Sequence, residues 1–438
     1  MRTAVVLFTR DLRVHDQPAL ATACATAEQV VPLFVLDPRL AGRSANRDRF
    51  LHQSLADLRA TLRGLGGDLL IRHGDPVAET IRLAREVDAD GVTVSADVSH
   101  YARHRQRRLS DECDRHRLAY RAFPGLTVVD PGALTPTNGD HYKVFTPYFR
   151  AWAGADWRAG CAAPERIRLP GGPAVGRLPA LPDGESPQAA AGGETAGRRR
   201  LRDWLGHVDR YGDSRLDRYG DSHDDLAGDA TSRLSPYLRF GCLSPLEVAT
   251  AAGDRAGPFV RQLCWRDFHY QVANAFPDLA TTAYRRGASE QWRYDADALD
   301  VWQIGHTGVP IVDAGMRQLR AEGWMHNRAR LITAGYLTKE IGLDWRDGLA
   351  WFGRWLLDGD LPNNSGNWQW VAGTGNDTRP HRGFNPLRQA HRFDPAGEYV
   401  RRWVPELAGV AGAAVHEPWR LPLAVRAGLD YPPPLSER

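Results

Sequence analysis

Five short apolar runs, at 5–9, 30–37, 68–73, 91–96 and 119–123, alternate with amphipathic stretches at 18–27, 47–63, 76–87 and 101–117. No other feature constrains the first part of the chain as tightly. Strands separated by helix-length connections cannot close as hairpins. They pair in parallel, and a parallel sheet needs helices over both faces. The turn after the first run reads Thr9-Arg10-Asp11-Leu12-Arg13 rather than a glycine-rich phosphate turn, which argues against an ordinary NAD site.

The pattern changes further on. Residues 160–196 are rich in Pro, Gly, Ala and Glu without periodicity, which marks a connection between domains. Beyond them the periodicity is helical, and 12 of the 14 tryptophans fall there. We therefore expect an α/β parallel-sheet domain over 1–130, a linker over 131–196 and an all-helical domain over 197–438. The densest part is 324–370, where six tryptophans are interleaved with Asn-Arg-x-Arg and Asp-Gly-Asp. Ordinary cores are built from Leu, Ile and Val, so this mixture points to a polar site walled by rings. A tandem Arg-Tyr-Gly-Asp-Ser, at 210–214 and 218–222, is too short to define a repeat architecture.

The formal charge of +3 gives no global polycation, so a nucleic-acid partner needs a local basic patch. Five scattered cysteines without a CxxC pair fit a reducing compartment and argue against a disulfide framework or a zinc site. The opening Arg2–Phe8 reads as a strand rather than a targeting segment, and no apolar run reaches membrane-spanning length. The expectation is a cytoplasmic, monomeric protein with no membrane association and no metal.

Several long segments occur in order: FTRDLRVHDQPAL, TSRLSPYLRFGCLSP, CWRDFHYQ, IVDAGMRQLRAEGWMHNRARLIT, DGDLPNNSGNWQW and FNPLRQAHRFDPAGEYVRRWVPEL. On these the chain resembles the photolyase/cryptochrome flavoprotein family over nearly its whole length. It is closest in pattern to bacterial class I cyclobutane pyrimidine dimer photolyases. The resemblance implies an antenna-binding α/β domain and a helical domain that holds FAD bent, with a cavity for a flipped-out lesion in damaged DNA.

The site residues follow from that resemblance. Thr231, Ser232, Arg233, Leu234 and Ser235 would bind the FAD pyrophosphate, with Tyr219 packing nearby and Tyr211 competing for that role. By itself, the bare motif reads equally as a helix cap. Gln262, Arg266, Arg330, Asp358, Asp360 and Asn364 would surround the flavin, Arg330 paired with Asp358 and Asn364 opposite flavin N5. Trp368, Trp345 and Trp292 would relay electrons, while Trp351 and Trp355, at i,i+4, read as core. Trp265, Asn327, Arg328, Leu331, Trp370 and Arg382 would contact lesion or DNA, with Arg388, Arg392, Arg401 and Arg402 as further basic candidates. Arg10, Asp37 and Asp97 would line an antenna cleft for a deazaflavin, a folate or a second flavin.

Two positions depart from the dimer-photolyase pattern. Gln262 stands where Glu is usual, and Leu331 where Met is usual. An amide donates at any pH but cannot transfer a proton, so the first change bears on chemistry, whereas the second nearly conserves volume. The histidine pair of (6-4) photoproduct enzymes is missing at Asn327 and Leu331. The leading reading is light-driven repair of cyclobutane dimers. The alternatives are a cryptochrome-like photoreceptor, against which the chain's end at Arg438 without a long tail speaks, or repair of another lesion.

Overall fold

The computed structural model describes residues 1–208, 213–255, 257–376 and 383–435. Tyr211 and Arg382 lie outside the described residues.

The elements run β1 (Thr3–Phe8), α1 (Pro18–Thr26), β2 (Gln29–Leu36), α2 (Ala45–Gly64), β3 (Leu70–His73), α3 (Pro76–Glu86), β4 (Gly91–Ser95), α4 (His100–Arg115) and β5 (Ala119–Phe123). Then come α5 (Phe145–Ala153), α6 (Glu194–Leu205), α7 (Tyr219–Ser222), α8 (Ser235–Phe240), α9 (Pro245–Ala252), α10 (Pro258–Ala275), α11 (Ala296–Ile304), α12 (Pro310–Glu322) and α13 (Asn327–Gly335). A π-helical turn (Tyr336–Ile341) leads to α14 (Trp345–Trp355), α15 (Leu361–Ala372), α16 (Pro386–Phe393), α17 (Glu398–Trp403) and α18 (Leu423–Arg426).

The contacts divide the chain into two units that alternate along the sequence. The first comprises Met1–Gly184, Ala191–Leu216 and Ser232–Asp278. The second comprises Glu185–Ala190, Asp217–Thr231 and Leu279–Arg438.

In the first unit the five strands are all parallel, in the order β3-β2-β1-β4-β5. This is the doubly wound order, whose direction of winding reverses between β1 and β4. The expected strands and helices agree with the observed ones to within a few residues. Side-chain caps account for several starts: Ser44 accepts from Arg47 N, Asp75 from Val77 N and Ala78 N, and Ser99 from Ala102 N. All six residues of β1 are buried, as a central parallel strand requires.

The Pro/Gly-rich stretch has no helix or strand between Gly154 and Gly193, yet up to Gly184 it is part of this unit. Val30 N donates to Arg168 O, Ile167 N to Leu65 O and Ile71 N to Val175 O, each at 2.8 Å. The last of these covers the edge of β3, which is otherwise open to mispairing. A Cβ at Gly176 would stand 2.2 Å from Ile71 O, so only glycine allows the approach.

The second unit is helical. Its core gathers Trp302, Met316, Leu319, Met325, Ile332, Trp345, Phe352, Trp368 and Tyr399, all 2 % exposed or less. Trp355 belongs to this core and Trp351 packs against it, with their rings 5.8 Å apart.

Candidate functional site

In the second unit a short acidic turn between α14 and α15 faces α13. Arg330 Nη2 lies 2.8 Å from Asp358 Oδ2, and Arg330 Nε donates to Met325 O at 2.8 Å. Asp358 is 8 % exposed, and its Oδ1 is buried without a hydrogen-bond partner among the described residues. Buried acceptors are almost always satisfied, so an open one at a paired carboxylate calls for a missing donor. A flavin ring carries such a donor at N3–H, so this carboxylate fits the expected cofactor. Asp360 Oδ2 accepts from Asn363 Nδ2 at 2.6 Å, and Asn364 Nδ2 donates to Leu349 O at 3.3 Å.

His326 caps the same helix, α13, accepting from Arg328 N through Nδ1 at 3.1 Å. Burial pushes its imidazole down to about 4, so it is neutral near pH 7, with its proton on Nε2. Sequence reasoning passed over His326, whose only signal was its position before Asn327.

Trp368 and Trp345 are buried in the core of the second unit, and Trp292 packs against it. On α15, Trp368 lies four residues after Asn364 and so shares its side of the helix. Its six-membered ring presses on α14: a Cβ at Gly348 would meet Trp368 Cη2 at 2.1 Å. Trp345 is fully buried one turn earlier on α14. Beyond it Arg293 forms a parallel bridge with Leu343, and Arg293 N donates to Gly342 O at 2.8 Å. That bridge lays the segment carrying Trp292 beside the one leading into Trp345. Gly348 and Trp302 were not anticipated. Trp302 is fully buried, donates to Thr333 O at 3.0 Å and stands edge-on to Trp368 at 6.1 Å.

Trp370 projects from α15 about 200° away from Trp368. It is half-buried and packs on Phe384 at 5.6 Å. Asn327 is exposed, and Leu331 is partly buried on the core. Arg328 is not a bare cation: it is paired with Asp224 (Nη2 to Oδ2, 2.5 Å) and lies over Phe393 at 4.2 Å. Arg401 turns inward to the carbonyls of Ala396, Val410 and Gly412. Arg402 is exposed but donates to Ala227 O at 3.1 Å. Arg388 and Arg392, four apart on α16, are left as an exposed basic stripe. Tyr219 is buried and stacks on His223 at 5.2 Å, where burial holds its phenol protonated.

In the first unit α10 carries Gln262, exposed, and Trp265, half-buried. One face of the Trp265 ring is covered by Phe145, with centroids 3.6 Å apart and planes at 4°, a contact no pattern in the sequence announced. Arg266 reaches Leu126 O at 2.5 Å and Tyr270 Oη at 3.1 Å, with the Tyr270 ring at 4.5 Å. Ser232, Arg233, Leu234 and Ser235 lead into α8; Arg233 takes a left-handed φ of 53° and Ser232 O accepts from Arg200. Thr231, half-buried, ends the second unit's 217–231 segment. At the carboxyl ends of β1 and β4, Arg10 Nη1 meets Asp97 Oδ2 at 3.3 Å across the switch point. Asp37, after β2, is held by Arg39 at 2.6 Å and by the Tyr101 hydroxyl.

Asp267 fixes α10. Its Oδ2 accepts from Val128 N, Val129 N and Trp152 Nε1 at 2.9–3.1 Å. Burial pushes the carboxyl up to about 6, against the pull of Arg266 and those donors. The folded state thus holds this proton more tightly than the unfolded chain. The resulting stability is complete below the ordinary carboxylate range and is lost as pH rises through 6. Asp267→Asn is expected to gain on the native chain by up to about 3 kcal/mol between pH 4 and pH 7. Urea unfolding across that range checks it, and parallel curves for the two proteins would refute it.

Residues 4–165 match the family described as DNA photolyase, and 259–438 the FAD binding domain of DNA photolyase. The chain is 49% identical over 457 residues to the deoxyribodipyrimidine photo-lyase of Streptomyces griseus, covering 100% of this chain and 97% of that protein. It is 36% identical to a cryptochrome DASH of Gloeobacter violaceus, covering 100% and 93%. Among solved structures, a bacterial class III photolyase from Agrobacterium tumefaciens superposes with a TM-score of 0.92 at 33% identity, covering 99% and 94%. An archaeal photolyase from Sulfolobus tokodaii, solved with two FAD molecules, gives 0.86 at 29%, covering 99% and 96%.

Proposed function

The chain belongs to the DNA photolyase/cryptochrome family, and from that premise we propose that it is a deoxyribodipyrimidine photolyase, splitting cyclobutane pyrimidine dimers in damaged DNA under light. The observation that supports the reading is the close approach of the Trp368 ring, on the Asn364 side of α15, to Gly348 of α14, which also carries Trp345, with the bridge of Arg293 to Leu343 just before that helix. Bound FAD supplies the light-absorbing electron donor, and the protein contributes binding, orientation and electrostatics.

Asp358 and Arg330 hold the polar edge of the ring system, and Asp360 and Asn364 orient it. Within the first unit Ser232, Arg233, Leu234 and Ser235 serve the dinucleotide's phosphates and ribose, with Gln262 and Arg266 as further cofactor contacts; within the second, Tyr219 and Thr231 serve the cofactor. Trp368, Trp345 and Trp292 pass electrons inward from the surface. In the second unit Trp370 offers a ring face to an extruded base; in the first unit Trp265 offers a ring face and Gln262 an amide donor for a pyrimidine carbonyl. Asn327 and Leu331 serve the lesion on the second unit's side, with Trp370. Arg388 and Arg392 contact phosphates, as does Arg328 once it exchanges Asp224 for a phosphate, and Arg382 joins them. A second chromophore, with a flavin among its candidates, binds at the carboxyl ends of β1, β2 and β4. We place the protein in the cytoplasm as a monomer.

Gln262 and the likeness to a cryptochrome DASH favour a second reading, a photoreceptor or an enzyme for another lesion. The deciding experiment uses pre-reduced protein and a dimer-containing oligonucleotide, in blue light and in darkness, with restored thymine measured by chromatography. Light-dependent restoration supports repair; its absence with reduced FAD bound refutes it. Trp370→Ala is expected to weaken binding of dimer-containing DNA by the roughly 1–3 kcal/mol that one stacked base contributes, with FAD retained. Unchanged affinity, read by fluorescence anisotropy, would remove Trp370 from the pocket.

A further inference from the structure

One ring of the segment expected to be a linker lies flat on Trp265. Phe145 opens α5, and its ring centroid is 3.6 Å from that of Trp265, with the planes 4° apart. Aromatic pairs left to themselves prefer offset or edge-on packing, because a face-to-face sandwich sets like quadrupoles against each other. Here the rest of the first unit imposes the sandwich. Phe268, buried on α10, stands edge-on to both rings, at 5.8 Å and 89° to Phe145 and at 5.6 Å and 87° to Trp265. Tyr148 and Trp152, further along α5, are fully buried, and Trp152 donates to Asp267 of α10 at 2.9 Å. The two helices are therefore tied together on either side of the ring pair.

A cation completes the arrangement. Arg261, one helical turn before Trp265 on α10, lies over the Phe145 ring at 5.0 Å and over the Phe149 ring at 4.6 Å. A cation over Phe145 draws on its π density and so eases the sandwich with Trp265. Phe145 covers one face of Trp265, so a base can reach only the other face and the edge. A side chain that must be immobilised on binding costs ordering free energy, and fixing it beforehand removes that cost.

We propose that Phe145 is a positioning residue for lesion recognition. Held by Arg261 and Phe268, it fixes the plane of the Trp265 ring before DNA arrives and leaves one face for the base. The inference rests on the reading given above of Trp265 as a surface for an extruded base. Phe145 acts through Trp265 alone, which makes α5 part of the lesion apparatus rather than a connection.

The test is fluorescence anisotropy on full-length, FAD-loaded protein with a dimer-containing duplex and the same duplex undamaged. The ratio of the two affinities is read, because it cancels general attraction to phosphates. Phe145→Leu should lower that ratio roughly three- to tenfold, about what one aromatic pair contributes. Phe145→Tyr, which keeps the flat ring, should restore it. In repair under continuous light, Phe145→Leu should raise KM while the rate at saturating DNA stays native. In a Trp265→Ala background the change to Leu should lower the ratio no further. A native ratio in Phe145→Leu, an equal loss in Phe145→Tyr, or an undiminished loss on top of Trp265→Ala overturns the proposal and leaves the repair reading standing. A native ratio in Trp265→Ala removes Trp265 from the lesion contacts, and the proposal with it. Native protein that does not prefer dimer-containing DNA overturns the repair reading as well. Flavin absorbance and thermal unfolding report whether each variant folds. Should Phe145→Leu not fold, the half-buried Arg261 decides in its place. Arg261→Gln should lower the ratio about two- to fivefold, the size of a cation–ring contact, and an unchanged ratio overturns the proposal.

Discussion

Arg330→Met is expected to cost about 3–5 kcal/mol of stability and the retained flavin together. The guanidinium is three-quarters enclosed, with 23% of its side chain exposed, and Asp358 is enclosed further, at 5%. Removing the cation leaves a carboxylate with two unsatisfied oxygens inside the protein, since Oδ1 already lacks a partner. It also frees Met325 O, which Arg330 Nε now satisfies. Restoring an apolar contact in Arg330→Met/Asp358→Leu should recover most of the stability, because a buried pair contributes little beyond a well-packed apolar one. Flavin should not return with it. Thermal unfolding and flavin absorbance of the purified proteins separate the two effects. A double variant that regains the flavin would show that Asp358 does not hold the ring system.

Gly348→Ala is expected to disable photoreduction without touching a residue of the electron course. The added methyl would sit 2.1, 2.5 and 2.6 Å from Trp368 Cη2, Cζ3 and Cζ2, inside any real contact distance. Trp368 is 2% exposed and flanked by Phe352 and Trp302, so its ring has little room to retreat. Overpacking of this kind costs typically about 1–3 kcal/mol, and here it shifts the ring proposed to pass electrons between Trp345 and the flavin. Gly353→Ala, on the same helix with open space around its added Cβ, is the control. It should gain about 0.5–1 kcal/mol from helix propensity and photoreduce normally. Unimpaired photoreduction in Gly348→Ala would mean that electrons reach the flavin by another way, with Trp302 the first residue to test.

The sheet unit was legible because its information is local. Apolar runs of strand length, amphipathic runs of helix length and caps such as Asp75 each declare themselves within a few residues. The pairing of Arg330 with Asp358 could be named in advance because long ordered motifs carry it. What stayed hidden depends on separation in space. Nothing near Phe145 signals that it lies flat on Trp265, and nothing near Arg328 says that Asp224 neutralises it. Equally, Arg388 and Arg401 look alike as letters, yet one faces solvent while the other is spent on three carbonyls. Charge on an arginine is sequence information; its availability is not.

The interleaving of the two units sets a schedule for synthesis on the ribosome. The first unit includes residues up to Asp278, and 278 lies 94 residues beyond the end of its opening segment at Gly184. At the usual ~5–20 residues per second, the nascent sheet waits roughly 5–20 s for α8, α9 and α10 to emerge. During that interval the surfaces those helices will cover are open to chaperones and to other nascent chains. A slow codon stretch placed between 184 and 278 should therefore lower soluble yield, whereas the same stretch after 278 should not.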